Sequence, residues 1–305
     1  MARVFVTRRI VGEALDRLAA DHDVDVWQGT LPPSPEHLRE RAAGAAALLC
    51  LLTETVDAEL LAAAPRLRVI ANYAVGVDNV DLGACERRGI PVGCTPDVLT
   101  DATADLAWAL ILAIARRIPE AAGAVRAGEW HTFEPARWLG TGLAGRTIGI
   151  LGHGRIGQAV GRRAEGFGMQ VLAAGRRDDL LDVIARSDVI SLHVPLTPET
   201  QGLIGERALA RVKTGALLVN TGRGGLVDQE ALADALRDGR LGGAALDVTE
   251  PEPLPADHPL LEAPNLLVVP HIGSATWEAR SAMTERAVAN VEAGLAGEPL
   301  PFPAA

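Results

Sequence analysis

Three polar side chains, Arg223, Glu252 and His271, each stand a short way beyond an apolar run of strand length, at 216–219, 244–246 and 266–269. In an open parallel sheet the rim beyond the carboxyl ends of the strands is where ligands bind. Histidine is the side chain that most readily gives or takes a proton near neutral pH, a carboxylate is a hydrogen-bond acceptor, and arginine is a planar fork for anions. Upstream, Thr147–Leu151 reads as a buried strand that runs into Gly152-His-Gly-Arg-Ile-Gly157. Residues 158–167 then have helical spacing, and Gln170–Ala174 is a second strand. Strand, glycine turn, helix and strand form the context in which G-x-G-x-x-G binds a dinucleotide. Gly152 permits the tight turn, Gly154 lets backbone approach a pyrophosphate, and Gly157 lets the helix sit against the strand. Arg155 and Ile156 open that helix, whose free N–H groups face the diphosphate.

The end of the second strand selects the dinucleotide. About 20 residues past the glycine turn, an NAD enzyme carries Asp or Glu to hold the ribose 2′-hydroxyl. Here the position holds Gly175, followed by Arg176 and Arg177. No carboxylate at that point repels a 2′-phosphate, and two guanidiniums are at hand to bind it. One charge-assisted hydrogen bond of roughly 1.5–3 kcal/mol corresponds to about one to two decades of preference. The expectation is that NADPH is preferred and NADH possible, with Asp178 and Asp179 able to blunt the preference.

The elements that must carry these groups follow from hydrophobic patterning. Strand-like runs at 4–7, 24–27, 46–52, 68–72 and 90–93 alternate with helical spacing at 12–20, 35–43, 57–64 and 81–89. Ser34 is placed to cap the second of these helices. Such alternation implies a parallel sheet with helices on both faces. Residues 100–118 read as one long helix that stops before Pro119 and is apolar around most of its circumference, hence buried. Residues 128–142 carry Trp130, Phe133 and Trp138 in an irregular stretch, an arm fitted to pack on something large such as another subunit. After Arg177 only a short helix, 180–185, precedes the strand at 188–193.

The fold expected is α/β, with two doubly wound parallel-sheet domains, Rossmann-like or flavodoxin-like, and an inter-domain cleft. Residues 1–98 and 275–305 are the expected substrate-binding domain, and 99–274 the dinucleotide-binding domain. The 305 residues carry 29 basic and 39 acidic side chains, a net charge of −10. That balance argues against a nucleic-acid backbone or an anionic membrane as partner. Cys50, Cys85 and Cys94 are too few and scattered for a disulfide framework or zinc site, and no metal is expected. The N-terminus has no signal-peptide pattern, and the longest apolar run, 106–115, falls far short of a bilayer span, so a cytoplasmic protein is expected.

Taken together, these segments resemble the D-isomer-specific 2-hydroxyacid dehydrogenases, and among them most closely the glyoxylate/hydroxypyruvate reductases. The resemblance runs through Asn72-Tyr-Ala-Val-Gly-Val-Asp-Asn79, Thr95-Pro-Asp-Val-Leu-Thr100, Ala102-Thr-Ala-Asp105, the glycine turn, and the three rim segments as far as Pro251-Glu-Pro-Leu-Pro255. It implies that His271 is the general acid that protonates the substrate carbonyl as hydride arrives from the nicotinamide. Glu252 would hold the other ring nitrogen and keep the proton available near neutral pH, so that Glu252→Gln moves the pH–rate profile to lower pH. Arg223 would neutralise the carboxylate of a 2-keto acid and polarise its carbonyl. The resemblance further implies that the N–H groups of Val75 and Gly76 hold the other face of the carboxylate and that Ser274 touches substrate. Asp247 would bind the nicotinamide carboxamide, with Thr221 and Gly273 beside the ring and Pro195 in the same cofactor site. Trp138 matches a position supplied across a dimer interface, so a homodimer is expected. The implied reaction is NADPH-dependent reduction of glyoxylate to glycolate and of hydroxypyruvate to D-glycerate. A larger or phosphonate-bearing 2-keto acid is the alternative substrate. A non-catalytic dinucleotide-sensing corepressor would share the fold, but would need peptide-binding surfaces and long disordered tails. The chain departs from the family after Arg177, where an extra helix and short strand usually follow.

Overall fold

The computed structural model describes residues 1–175 and 177–304. They fall into two compact units: Met1–Leu99 with Ala275–Ala305, and Thr100–Ser274. The first unit begins β1 (Arg3–Val6), α1 (Ala14–Asp21), β2 (Asp23–Val26), α2 (Pro35–Ala42) and β3 (Ala47–Cys50). It continues α3 (Ala58–Ala63), β4 (Val69–Asn72), α4 (Leu82–Arg87) and β5 (Val92–Gly93). Its strands form one parallel sheet in the order β2-β1-β3-β4-β5. Alternate residues of the buried strands feed cores on the two faces, with Phe5, Leu48 and Ile70 on one side and Val4, Leu49 and Val69 on the other. Helices α2, α3 and α4 start where short polar side chains accept a first-turn N–H: Ser34 from His37, Asp57 from Leu60 and Asp81 from Ala84.

The second unit runs α5 (Thr100–Ala115), α6 (Ile118–Arg126), β6 (Thr147–Leu151), α7 (Arg155–Gly166), β7 (Gln170–Ala174) and α8 (Leu180–Arg186). It ends β8 (Val189–Leu192), α9 (Glu206–Leu209), β9 (Ala216–Asn220), α10 (Gln229–Arg237), β10 (Leu241–Leu246) and β11 (Leu266–Val268). These strands form a second parallel sheet in the order β11-β10-β9-β8-β6-β7. The chain then returns to the first unit as α11 (Trp277–Ala296), which packs on β3 and β4. Both sheets are of the doubly wound type, with order reversing between β1 and β3 and between β6 and β8. Strand β7 is an edge, because the short segment after Arg177 makes only α8 before the chain crosses to β8.

The long helix expected at 100–118 is two helices. Helix α5 ends at Ala115, Arg117 is left-handed at φ 51°, and Ile118-Pro119 opens α6. Proline lacks a donor the first turn does not need, so Pro119 starts a helix here instead of ending one. Helix α5 is buried as expected. Trp108 donates its indole N–H to the Val160 carbonyl at 3.0 Å and stacks on Phe167 with 4.3 Å between ring centroids. All three cysteines are buried thiols outside any disulfide, and burial pushes the Cys50 thiol well up. Among the described residues, no helix is long and apolar enough to cross a membrane, and no cluster of His, Cys, Asp and Glu could hold a metal ion.

Candidate active site

The loop after β11 carries His271, and three contacts with Asp247 at the end of β10 set its course. His271 N–H donates to the Asp247 carbonyl at 2.9 Å. The Asp247 carboxylate accepts from Ile272 N at 2.6 Å and Gly273 N at 2.8 Å. Asp247 is 2% exposed, and its burial raises its pKa against the pull of those N–H groups and of His271. His271 is held at φ 52°, a left-handed conformation that costs a non-glycine residue on the order of 1 kcal/mol and needs such support. Its Nδ1 lies 2.6 Å from Glu252 Oε1, which leaves Nε2 as the nitrogen able to present a proton.

Arg223 sits on the loop after β9, folded by Asn220. The Asn220 amide donates to the Arg223 carbonyl at 2.7 Å and accepts from Gly222 N at 3.0 Å. The Arg223 guanidinium donates to the Gly222 carbonyl at 2.9 Å. The next residue must be small, since a Cβ on Gly224 would lie 2.0 Å from the Thr249 carbonyl oxygen. Gln229 on α10 braces the segment leading to Glu252, donating to the Glu250 carbonyl and accepting from Glu250 N at 3.1 Å. The Arg223 loop and the Glu250 segment are thereby packed against each other at the carboxyl rim of one sheet.

The glycine turn lies at the switch point of the same sheet, between β6 and β8. Gly152 has φ 102°, and a Cβ there would meet the His193 backbone at 2.4 Å. A Cβ on Gly157 would lie 2.0 Å from the Gly152 oxygen, while one on Gly154 would meet nothing within 4 Å. Backbone can therefore approach a ligand over Gly154. Helix α7 starts at Arg155 with no side-chain cap, and its first turn, Arg155, Ile156 and Gly157, points N–H groups toward that space. Thr221, after β9, has a buried hydroxyl with no partner among the described residues. Open space at Gly154, an uncapped helix start and an orphaned hydroxyl fit a dinucleotide. Pro195 is exposed, and its carbonyl accepts from Thr200 at 2.7 Å.

Gly175, at the end of β7, donates its N–H to Asp178 Oδ2 at 2.7 Å. Asp179 caps α8, accepting from Leu181 N and Asp182 N, and Arg177 is exposed. Arg176 lies outside the described residues. His193, not singled out from the sequence, follows β8. Its Nε2 is 2.8 Å from Ser191 Oγ, and although part of the residue reaches solvent, burial of the ring lowers its pKa to about 4.

In the first unit, Val75 and Gly76 follow β4. Among the described residues, neither their N–H groups nor that of Val77 finds an acceptor, so the donors form a row of three. Spacing alone gave no signal for Val77, since a backbone donor is defined by peptide orientation. Trp138 is half-buried at φ 59°, with the Arg137 guanidinium 4.5 Å over its ring. Ser274 is half-buried directly after Gly273.

A dinucleotide turn and a carboxylate-held histidine at the rim of one doubly wound sheet define a nicotinamide-dependent oxidoreductase. Residues 108–273 match the model of the D-isomer specific 2-hydroxyacid dehydrogenase NAD binding domain. The chain is 47% identical over 310 residues to a glyoxylate reductase of Korarchaeum cryptofilum, covering 97% of this chain and 93% of that one. A solved Thermus thermophilus protein superposes with TM-score 0.95 at 48% identity, over 99% of this chain and 100% of that one. An NADPH-dependent glyoxylate/hydroxypyruvate reductase from Sinorhizobium meliloti, solved with NADP and malonate, gives TM-score 0.85 at 31% identity, over 100% and 97% of the two chains. The chain belongs to the D-isomer specific 2-hydroxyacid dehydrogenases. It is an NAD(P)-dependent enzyme of that family.

Proposed function

We propose that the enzyme reduces small 2-keto acids, glyoxylate to glycolate and hydroxypyruvate to D-glycerate, with NADPH as preferred donor. The observation that carries the reading is His271 Nδ1 held 2.6 Å from Glu252, with Nε2 left to act. The nicotinamide supplies the hydride when bound. His271 gives its proton from Nε2 to the carbonyl oxygen, and Glu252 fixes the tautomer and balances the charge. Arg223 binds the substrate carboxylate and polarises the carbonyl. Val75 and Gly76 donate N–H groups to that carboxylate, and Ser274 contacts substrate. Gly152, Gly154, Arg155, Ile156 and Gly157 take the diphosphate. Thr221, Gly273 and Pro195 line the cofactor site, and Asp247 reaches the carboxamide as well as bracing the His271 loop.

The preference for NADPH rests on Gly175 in place of a carboxylate, with Arg176 and Arg177 following. The named activities of the Korarchaeum and Sinorhizobium relatives support the substrate class. Residues 1–98 with 275–305 are assigned the substrate role and 99–274 the cofactor role. Trp138 is assigned to the neighbouring subunit's site in a homodimer, and the enzyme to the cytoplasm. His271→Ala tests the reading. Keto-acid reduction should fall at least a hundredfold while the dissociation constant for NADPH, read by nucleotide fluorescence, stays within twofold. Retained turnover would remove His271 as the acid.

A further inference from the structure

We propose that Glu54 and Asn79 are positioning residues that lock the N–H row Val75–Val77, and so set affinity for the substrate carboxylate. The inference rests on the reading that this row takes that carboxylate.

Glu54 is 3% exposed, and no basic side chain pairs with it among the described residues. A buried carboxylate without a cation must be satisfied by hydrogen bonds. Thr7, just past β1, donates its hydroxyl to Oε2. Leu51 N, just past β3, donates to the same oxygen at 2.7 Å, and the Thr53 hydroxyl donates to Oε1 at 2.5 Å. Order reverses between β1 and β3, so this is the switch-point crevice of the first sheet, the place where such sheets take ligands. The chain's own carboxylate fills it.

From there the network passes to the β4 loop. The Asn79 side chain donates to the Leu51 carbonyl at 3.0 Å and the Glu54 carbonyl at 2.8 Å. Its Oδ1 accepts from Asn72 Nδ2 at 3.1 Å, and Asn72 Nδ2 also donates to the Gly76 carbonyl at 2.9 Å. Asn72 is fully buried, and Val56 N donates to the Asn79 carbonyl at 2.8 Å. The loops after β3 and β4 are thus one hydrogen-bonded body.

The orientation of the row follows from peptide planarity. In a trans peptide the C=O and the following N–H point opposite ways. Pinning the Gly76 carbonyl to Asn72 turns the Val77 N–H away from Asn72. Pinning the Ala74 carbonyl to Thr95 N, at 2.8 Å, turns the Val75 N–H away from Thr95. Glu54 and Asn79 touch no substrate in this account. They fix the frame that holds the peptides of the row, and preorganised donors lose less on binding.

The test uses Asn79→Ala, the milder Asn79→Ser, and Glu54→Gln, each in the full chain. Hydrogen–deuterium exchange at the hydrogen-bonded amides of Leu51, Val56 and Tyr73, which the network holds, should quicken at least tenfold in all three. The KM for glyoxylate should rise about tenfold while kcat stays within threefold and NADPH affinity within twofold. If the variants are folded and both exchange and KM stay at wild-type values, the proposal is overturned. It is also overturned if KM, kcat and NADPH affinity all deteriorate together, since that is a general fault in folding. Should the wild-type protein reduce no 2-keto acid, the proposed function fails, and the exchange of the Leu51, Val56 and Tyr73 amides alone then decides whether the lock exists.

Discussion

Glu252 and Asp178 are carboxylates with opposite consequences for the proposed reaction. Glu252 stands 2.6 Å from His271 Nδ1. Replacing it with Gln keeps a hydrogen-bonding group but removes the charge that balances a proton on the ring. Glu252→Gln should therefore lower kcat by about tenfold or more while NADPH affinity stays within twofold. An unchanged kcat would remove that role. Asp178 folds back on Gly175 N at 2.7 Å, which puts a negative charge at the strand end where a 2′-phosphate would sit. At several ångströms in screened water such a charge is worth on the order of 1 kcal/mol. Asp178→Asn should accordingly raise the NADPH/NADH ratio of kcat/KM about threefold to tenfold, and an unchanged ratio would show that Asp178 does not face the cofactor. From the sequence, Asp178 is only a residue that could blunt the preference. Its fold onto Gly175 depends on a turn geometry that spacing does not encode.

Single elements hold the loops of the candidate site, and their ionisable groups link stability to pH. His193 ends the β8 segment against the glycine turn, with its pKa lowered to about 4 by burial. Above the unfolded value near 6.5 the ring is neutral in both states and contributes no pH dependence. Between about 6.5 and 4 the unfolded chain takes up a proton that the folded one refuses, so stability is lost as pH falls, and the loss saturates below 4. The full effect is roughly 3 kcal/mol. Denaturant titration at pH 7 and pH 4 should find His193→Gln losing less stability than wild type by about that amount, and equal losses would contradict the burial argument. Asp247 braces the loop after β11 through Ile272 and Gly273. Asp247→Asn must turn a donor toward one of those N–H groups and should cost roughly 2–3 kcal/mol, seen as a Tm lower by several degrees. At this scale the strands were legible, because apolar runs bounded by turns have few other uses. Helix α11 went unread from the sequence, although Met283, Ala287, Val291 and Leu295 recur every fourth residue on its buried face. Thr284, Asn290 and Gly294, buried beside them, dilute that apolar stripe. Helix α6 was hidden because Pro119 reads equally as a stop or a start.

The whole molecule combines two doubly wound sheets whose loops carry all of the proposed chemistry. The glycine turn and the Arg223, Glu252 and His271 segments were legible because each sits at a strand end in fixed order along the chain. The donor row was only partly so, since Val77 enters through peptide orientation. Outside the sheets, Trp130 is 71% exposed and Phe133 85% exposed in the irregular segment around Trp138. Exposed large apolar side chains in one stretch are what the proposed homodimer would cover. The homodimer proposed here predicts that a Trp130→Ser, Phe133→Ser double variant sediments as a monomer at micromolar concentration and loses activity, and a variant that stays dimeric would move the interface elsewhere. The proposed keto-acid reduction is read by absorbance at the reduced-nicotinamide band. Purified protein with NADPH or NADH is offered glyoxylate, hydroxypyruvate, pyruvate and bulkier 2-keto acids at matched concentration. Oxidation should be rapid with glyoxylate and hydroxypyruvate, and faster with NADPH than with NADH. Turnover of bulkier acids alone, or cofactor binding with no turnover of any acid, would contradict the proposed function.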